Sequence, residues 1–296
     1  GGSIVFEMLG DLYSIPAEGG EARALTRGMA FDSQPVFSPD GGDIAFVSDR
    51  SGADNLWIIA RAGSNPRQVT HLDENSVFTS PAWSADGKSI FVSRYRAANN
   101  GFELWRYEVA GGAGELVIPI KAAPDQPREA WSSVLGAFPS ADGRFLYFSR
   151  HVGPNDFDRL PEWTIVRRDL TSGKDQVLVS APRSPRPDLV LGTAFRPAVS
   201  HDGRFLIYGA RDRGLTGLRL LDLETHADRW LKFPIQQDES QALPWQDLLP
   251  RQVFSRDDRA VILNLGGTIV RIDIASGGYT VIPFRVLRRV DIGPST

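Results

Sequence analysis

Four alternating apolar runs in this chain end in charged side chains that could do chemistry together. Asp49 and Arg50 follow one run, Arg94 and Arg96 a second, Arg150 and His151 a third, Arg211 and Asp212 a fourth. Guanidinium groups converging from separate elements would hold a carboxylate, a phosphate or an acidic loop through paired N–H donors. Each arginine could equally be neutralised at home, by Asp49, Asp54 or Glu103 for instance, and that is the favoured reading. Trp245, in a long segment poor in regular pattern, is the one aromatic placed to serve as a recognition surface.

Other chemistries find less support. The four histidines, His71, His151, His201 and His226, lie 25 or more residues apart and form no His-x-His pair. No Gly-x-Ser-x-Gly elbow accompanies the serines, so a nucleophilic triad is not expected. With no cysteine, disulfides, thiolate metal sites and cysteine nucleophiles are excluded together. Lys+Arg 33 against Asp+Glu 36 leaves a net charge of −3, without the basic excess that binding a nucleic-acid backbone rewards. No run of 18 or more apolar residues and no charged-then-apolar leader occurs, so these residues are expected neither to span a membrane nor to include a signal peptide.

The charged ends must be positioned by a repeat. QPVFSPDGGDIAFVSDRSGADNLWIIARAGSNPRQVT from residue 34 matches SPAWSADGKSIFVSRYRAANNGFELWRYEVAGGAGELVI from residue 80. Three shorter copies follow: AFPSADGRFLYFSR, PAVSHDGRFLIYGAR and the degenerate QVFSRDDRAVILNLG. Their aspartates, Asp40, Asp86, Asp142, Asp202 and Asp257, are spaced by 46, 56, 60 and 55 residues. Periods of this size carrying four short strands are the mark of a propeller blade, and insertions account for the longer spacings. The expected fold is all-β, a six-bladed β-propeller of four-stranded antiparallel blades in a single domain, 1–296.

In each copy a short inner strand a leads through Ser-x-Asp-Gly into the alternating strand b. Strand c, a Gly turn and strand d follow. The aspartates are read as turn formers: the carboxylate accepts N–H groups of its own turn while Gly takes the left-handed position. Blades are expected at 34–70, 80–118, 136–179, 196–232 and 250–284. Gly1 to Phe6 aligns with Gly41 to Phe46, so residues 1–26 make a sixth blade without its strand a. The tail, with Val286, Leu287, Val290 and Ile292, is expected to close or cap the ring beside residues 4–8. Phe37, Trp83 and Phe138 in strands a, with Trp57 and Trp105 in strands c, are read as packing between blades rather than as a sugar-stacking platform.

SPDGGDIAFVSDRSGADNLWIIARAGSNPRQVT resembles a blade of the TolB-type β-propeller, and the resemblance extends along the whole chain. The match is closest to N-terminal propellers of exported, multidomain amidohydrolases, where strings similar to IVFEMLGDLYSIPAEGGEARALT, FDSQPVFSPDG, DNLWII, SNPRQVT and IVRIDIASGGYTVIPF occur in this order. The resemblance implies a periplasmic or otherwise extracytoplasmic location. It also implies a metal-dependent hydrolase domain as fused or associated neighbour, with its divalent metal there and no cofactor in this chain.

Long segments fall only among b–c connections, 94–101 and 150–162, and d–a connections, 120–135, 180–195 and 233–249. Both types emerge on one face of a propeller, so that face is expected to hold the ligand or partner site. Three functions follow. The first is a non-catalytic scaffold docking or gating a hydrolase domain; the second is a free-standing module contacting envelope proteins. The third, a propeller hydrolase with a channel metal, needs carboxylates at the starts of strands a. Those starts are Gln34-Pro35, Ser80-Pro81, Gly136-Ala137, Arg196-Pro197 and Arg251-Gln252, with no carboxylate among them.

Overall fold

The inner strands carry β-branched and aromatic residues broken by X-Pro, and the strands that follow open on continuous apolar runs such as residues 44–47 and 145–148; both patterns suit short antiparallel strands buried on two faces. A computed structural model describes residues 2–72, 76–153, 162–180, 193–236, 238 and 247–288 of the 296. Five sheets are four-stranded meanders. From inner strand a to outer strand d, blade 2 contains Asp32–Phe37, Asp43–Ser48, Asn55–Ala60 and Arg67–Gln68. Blade 3 contains Phe78–Trp83, Ser89–Arg96, Gly101–Glu108 and Glu115–Ile118. Blade 4 contains Ser132–Pro139, Phe145–Val152, Trp163–Asp169 and Asp175–Val179. Blade 5 contains Ala194–Val199, Phe205–Asp212, Leu215–Asp222 and Asp228–Lys232. Blade 6 contains Val253–Phe254, Ala260–Leu265, Thr268–Asp273 and Tyr279–Val281.

Blade 1 contains strand b, Ser3–Met8, then strand c, Asp11–Pro16, and a split strand d, Gly20–Glu21 and Arg23–Ala24. The Gly2 carbonyl accepts from Ala17 N at 3.1 Å just as the Gly42 carbonyl accepts from Arg61 N at 2.8 Å. The expected alignment of residues 1–6 with 41–46 therefore holds at the level of backbone bonds, and among the described residues blade 1 has no strand a.

Each pair of adjacent blades encloses an apolar cluster, and the six clusters close a ring. Leu12, Ile44 and Phe46 join blades 1 and 2; Ile58, Phe78 and Val92 join 2 and 3; Leu104, Val134 and Phe148 join 3 and 4. Ile165, Val199 and Tyr208 join 4 and 5; Leu218, Phe254 and Val261 join 5 and 6; Ile15, Ile269 and Ile282 join 6 and 1. Trp83 lies in the second of these and donates its indole N–H to the Val36 carbonyl across blades at 3.1 Å, as expected of a packing aromatic. Among the described residues no helix is long and apolar enough to cross a membrane.

The Ser-x-Asp-Gly turns are built as the sequence implies. Ser38 Oγ donates to Asp40 Oδ1 at 2.6 Å and accepts from Asp43 N at 2.9 Å, while Gly42 N donates to Asp40 at 3.0 Å. Ser84, Ser140, Ser200 and Ser255 repeat the hydroxyl–carboxylate bond at 2.5–2.6 Å. The serine hydroxyl bond holds Asp40, Asp86, Asp142 and Asp257 below the usual carboxylate range. In the degenerate copy Asp258 takes the left-handed position, φ 53°, and its carboxylate accepts from the backbone N–H of His201 at 3.0 Å. Exposed His201 is thus a turn residue, its Nδ1 also 2.7 Å from Asp258.

Two expectations need correction. The segment 94–101 is no long loop: strand b runs to Arg96 and strand c starts at Gly101, leaving a tight connection whose Asn100 has φ 48°. Arg94, Arg96, Arg150, His151, Arg211 and Asp212 accordingly sit within extended ends of strands b rather than beyond them. The tail does leave blade 6 at Phe284, whose ring lies 5.0 Å from that of Phe6. Phe284 and Arg285 pair in parallel with Gly20 and Glu21 at the outer edge of blade 1, however, so the described part of the tail caps the ring from outside. Val290 and Ile292 lie outside the described residues.

Candidate functional site

The charged strand ends do not converge as a ring of free guanidinium groups. Arg50 pairs with buried Asp32 at 2.5 Å and lies over Phe46 and Trp57. Arg94 is buried, bonded to Ser76 Oγ at 3.3 and 3.2 Å, and lies over Trp105. Arg96 is 3.9 Å from Glu103. Arg150 and Arg168 share Asp175 at 3.0 and 2.7 Å. Arg211 donates to Asp238, which also accepts from Thr216. Asp49 accepts from Phe31 N at 2.7 Å, and His151 Nδ1 lies 3.1 Å from the Glu162 carbonyl. Asp212 is exposed at the strand end, and Trp245 lies outside the described residues. Pairing with a nearby carboxylate, the favoured reading, describes Arg50, Arg96, Arg150 and Arg211, while Arg94 meets a hydroxyl and an aromatic ring.

What does converge is the beginning of the inner strands. In blades 2 to 5 strand a slips register against strand b at the same place, between Ser33 and Val36, opposite Phe91–Ser93, between Leu135 and Phe138, and between Phe195 and Ala198. One residue in each slip is left-handed: Gln34 at φ 55°, Ser80 at 59°, Gly136 at 66° and Arg196 at 56°. Such a bulge re-aims a side chain out of the ladder. Here four bulges from four blades meet around the axis.

Their side chains form a chain of hydrogen bonds. Glu7 Oε2 accepts from Gln34 N at 2.7 Å, and Gln34 Oε1 accepts from Ser80 N at 2.7 Å and Thr79 Oγ1 at 3.0 Å. Ser80 Oγ donates to Asp247 Oδ2 and accepts from Arg196 Nη1 at 2.6 Å, and Arg196 also donates directly to that carboxylate oxygen. Gln252 closes the circuit on the Arg196 carbonyl, and Arg251 donates to the Pro81 carbonyl. Gly136 completes it by staying small: a Cβ there would stand 3.0 Å from Asp247 Oδ2. All six blades contribute a residue to one polar cluster.

Asp247 comes from the d–a connection between blades 5 and 6 and is held by its neighbours Leu248 and Leu249, which pack among Phe102, Leu135, Trp163 and Phe195. Its side chain is 0% exposed and that of Arg196 only 6%. Burial raises the Glu7 carboxyl above its ordinary range, against the opposing Gln34 N–H bond. Loss of water pushes the Arg251 guanidinium down to about 9, with repulsion from Arg196 adding and Asp247 opposing. Two guanidinium groups thus compete for one adjacent carboxylate.

The meander order places d–a and b–c connections at the same end of every blade, which is also the end of the bulges. Gly101, where a b–c connection enters strand c, illustrates it: a Cβ there would stand 3.3 Å from Ile120 at the start of a d–a connection. The channel cluster therefore opens on the elaborated face. The sequence marks the five strand-a starts only as lacking carboxylates, and none of them was among the expected site residues. Asp247 and Glu7 were missed, one in a loop without repeat signal, the other in an alternating strand where nothing marks it as facing the channel.

This donor set does not fit a divalent cation. Arg196 already occupies the Asp247 carboxylate, which Arg251 also attracts, and Glu7, the other carboxylate of the cluster, accepts from Gln34 N. No cluster of three or more histidine, aspartate or glutamate ligands occurs among the described residues.

Known proteins share this architecture. The crystal structure of TolB from Acinetobacter baumannii superposes with a TM-score of 0.66 at 16% identity, over 91% of this chain and 58% of that one. The crystal structure of the tricorn protease gives 0.67 at 16% identity, over 98% of this chain and 26% of that one. The Tol-Pal system protein TolB of Anaeromyxobacter sp. is 41% identical over 98 residues, 32% of this chain and 22% of its own length. The chain matches 28% or less of the length of the curated relatives. The family described as "Tricorn protease N-terminal beta propeller domain" matches residues 1–150, just over half of the sequence. With its six blades and that match, the chain belongs to the tricorn protease N-terminal β-propeller domain family.

Proposed function

We propose that this propeller is a non-catalytic docking module that receives an acidic segment of a partner at the channel mouth of its elaborated face. The observation that carries this reading is the charge balance there: Arg196 and Arg251 share Asp247, and the ionised form of Glu7 is disfavoured by burial. A buried guanidinium without its own counterion is costly, and an incoming carboxylate removes that cost.

The partner we propose is a hydrolase domain of the same or an associated polypeptide, specifically a metal-dependent amidohydrolase in an extracytoplasmic compartment such as the periplasm. The motif order of the sequence supports it, as does the length of the tricorn protease and TolB chains beyond the matched propeller. Any divalent metal then belongs to that domain. A free-standing module that contacts envelope proteins, as the TolB likeness suggests, uses the same face.

Hydrogen exchange tests the reading, comparing this chain alone with the chain expressed together with the residues its gene encodes on either side. Slower exchange is expected at the ends of strands b and at 247–252. Protection confined to the Ser-x-Asp-Gly turns of the opposite face, or none, would refute it. Bound metal with esterase or lactonase turnover by the chain itself would overturn the non-catalytic assignment.

A further inference from the structure

Two side chains of the bulge cluster cross the channel instead of lining it. Blades 3 and 6 stand opposite each other in a ring of six, and Arg251 of blade 6 donates to the Pro81 carbonyl of blade 3. A bond between opposite blades crosses the axis. Arg196 of blade 5 reaches past blade 4 to Ser80 Oγ of blade 3 at 2.6 Å. Gly136 of blade 4 leaves room for that second crossing, since a Cβ there would stand 3.5 Å from Arg196 Cδ and 3.0 Å from Asp247 Oδ2. Gln252 then ties the Arg196 carbonyl to blade 6.

The crossings lie close to one mouth. Ser80 and Arg196 are each the third residue of their inner strands, Phe78–Trp83 and Ala194–Val199. Inner strands start at the elaborated face, so at two residues of rise the bar lies about 7 Å inside it. One extended side chain fills that depth, whereas a segment entering as a strand is stopped after about two residues. The other mouth is rimmed by the a–b turns, which touch from blade to blade. A Cβ on Gly143 would stand 3.3 Å from Ala85 and one on Gly87 3.8 Å from Pro39, while Asp258 accepts from His201 N at 3.0 Å.

We infer that the elaborated face opens on a blind socket, floored by the Arg251 and Arg196 crossings, that takes one acidic side chain from the tip of a partner's turn and bars a polypeptide from threading the channel. The floor is built by blades 3 to 6, whose inner strands are described, so an inner strand added to blade 1 would narrow the socket without removing its floor. A hydrolase domain docked on this face is then not supplied with a polypeptide through the propeller axis. The inference rests on the docking reading for the acidic character of the ligand, and it adds the ligand's form.

The probes are two peptides of one sequence, Ser-Gly-Glu-Gly-Ser-Pro, one linear with both ends blocked and one closed head to tail. A closed ring presents a turn and has no end to thread. Titrated into the isotope-labelled whole chain and followed by NMR, both should shift the Arg251 side-chain N–H signals. The cyclic form should bind at least as tightly as the linear one, because its turn is already ordered. Glutamine in place of the glutamate should abolish both shifts, a control that leaves the protein unaltered. Arg251→Gln should weaken both peptides about tenfold or more. Backbone shifts are expected at the ends of strands b and at 247–252 only. Binding by the linear form alone, shifts that extend to the a–b turns 39–42, 85–88 and 141–144, or unchanged binding by Arg251→Gln would overturn the inference. If neither peptide shifts these signals while the loop face is still protected in the longer polypeptide, the docking reading stands and this inference falls; without that protection both fall.

Discussion

Replacing Asp247 with asparagine keeps the shape of the side chain and removes one charge from the channel cluster. In the native protein this carboxylate accepts from Arg196 and Ser80, and its other oxygen accepts from Leu248 N at 2.6 Å. Both partners of the ion pair are nearly inaccessible, 6% and 0% exposed. Surface screening, which makes most salt bridges worth little, is therefore weak here. Removing one partner of a buried pair costs about 3–5 kcal/mol, because the other charge is left without compensation. Arg251 then also loses the attraction that opposes its burial and the repulsion from Arg196. We expect a loss of about 3 kcal/mol in urea unfolding at pH 7, a roughly hundredfold rise in the unfolding constant. Sulfate should recover more stability in the variant than in the parent, since an anion can re-enter between the two guanidinium groups. The double replacement Arg196→Met with Asp247→Leu should recover most of the loss, as apolar substitutes for buried pairs commonly do. A loss under about 1 kcal/mol for Asp247→Asn, with no sulfate difference, would refute the view that this carboxylate compensates both cations.

Other expectations follow from the same geometry. Glu7→Gln keeps an acceptor for Gln34 N and removes a charge that burial disfavours. Because the folded carboxyl titrates above its unfolded value, wild-type stability falls as pH rises through that folded value, so the variant should be the more stable at pH 7 and the two should converge in acid. Denaturation midpoints across pH 4–8 would show this. The opposite sign holds for the Ser-x-Asp-Gly turns. Asp40, Asp86, Asp142 and Asp257 are held low, so their contribution is present above the unfolded carboxylate range and is lost as pH falls through the folded values. Ser140→Ala should cost about 1 kcal/mol and let the Asp142 carboxyl titrate nearer its ordinary value by NMR. Gly136→Ala combines φ 66° with a Cβ 3.0 Å from Asp247 Oδ2, and a loss of about 1–3 kcal/mol in urea unfolding is expected.

The division between sequence and structure runs along the repeat. The five Ser-x-Asp-Gly copies, the alternating strands after them and the alignment of Gly1 to Phe6 with Gly41 to Phe46 were enough for the six blades and the incomplete first one. Each is a local pattern: a turn needing a left-handed Gly, a strand with period two. Local pattern also carried the roles of Trp83 and His201, since an aromatic within a strand packs and a residue inside a tight turn meets that turn's neighbours.

What the sequence alone could not assign were contacts that depend on how six separate stretches meet around an axis. Arg50, Arg94, Arg150 and Arg211 look alike at the ends of strands b, yet each is neutralised or stacked on its own blade or loop. Arg196, a residue before a proline, faces the channel because a bulge turns it there. Asp247 reaches it from about 50 residues later in the chain, in a segment whose pattern says nothing, because its place is fixed by Leu248 and Leu249 sinking among aromatics of other blades. The length of strands b and the outer-edge course of the tail were likewise decided by pairing between distant residues. The amino-acid order therefore determined the blade and its number, since those rest on local hydrogen bonding and periodicity. Only the closed ring decided which charges meet, because a ring brings together residues that no local pattern relates.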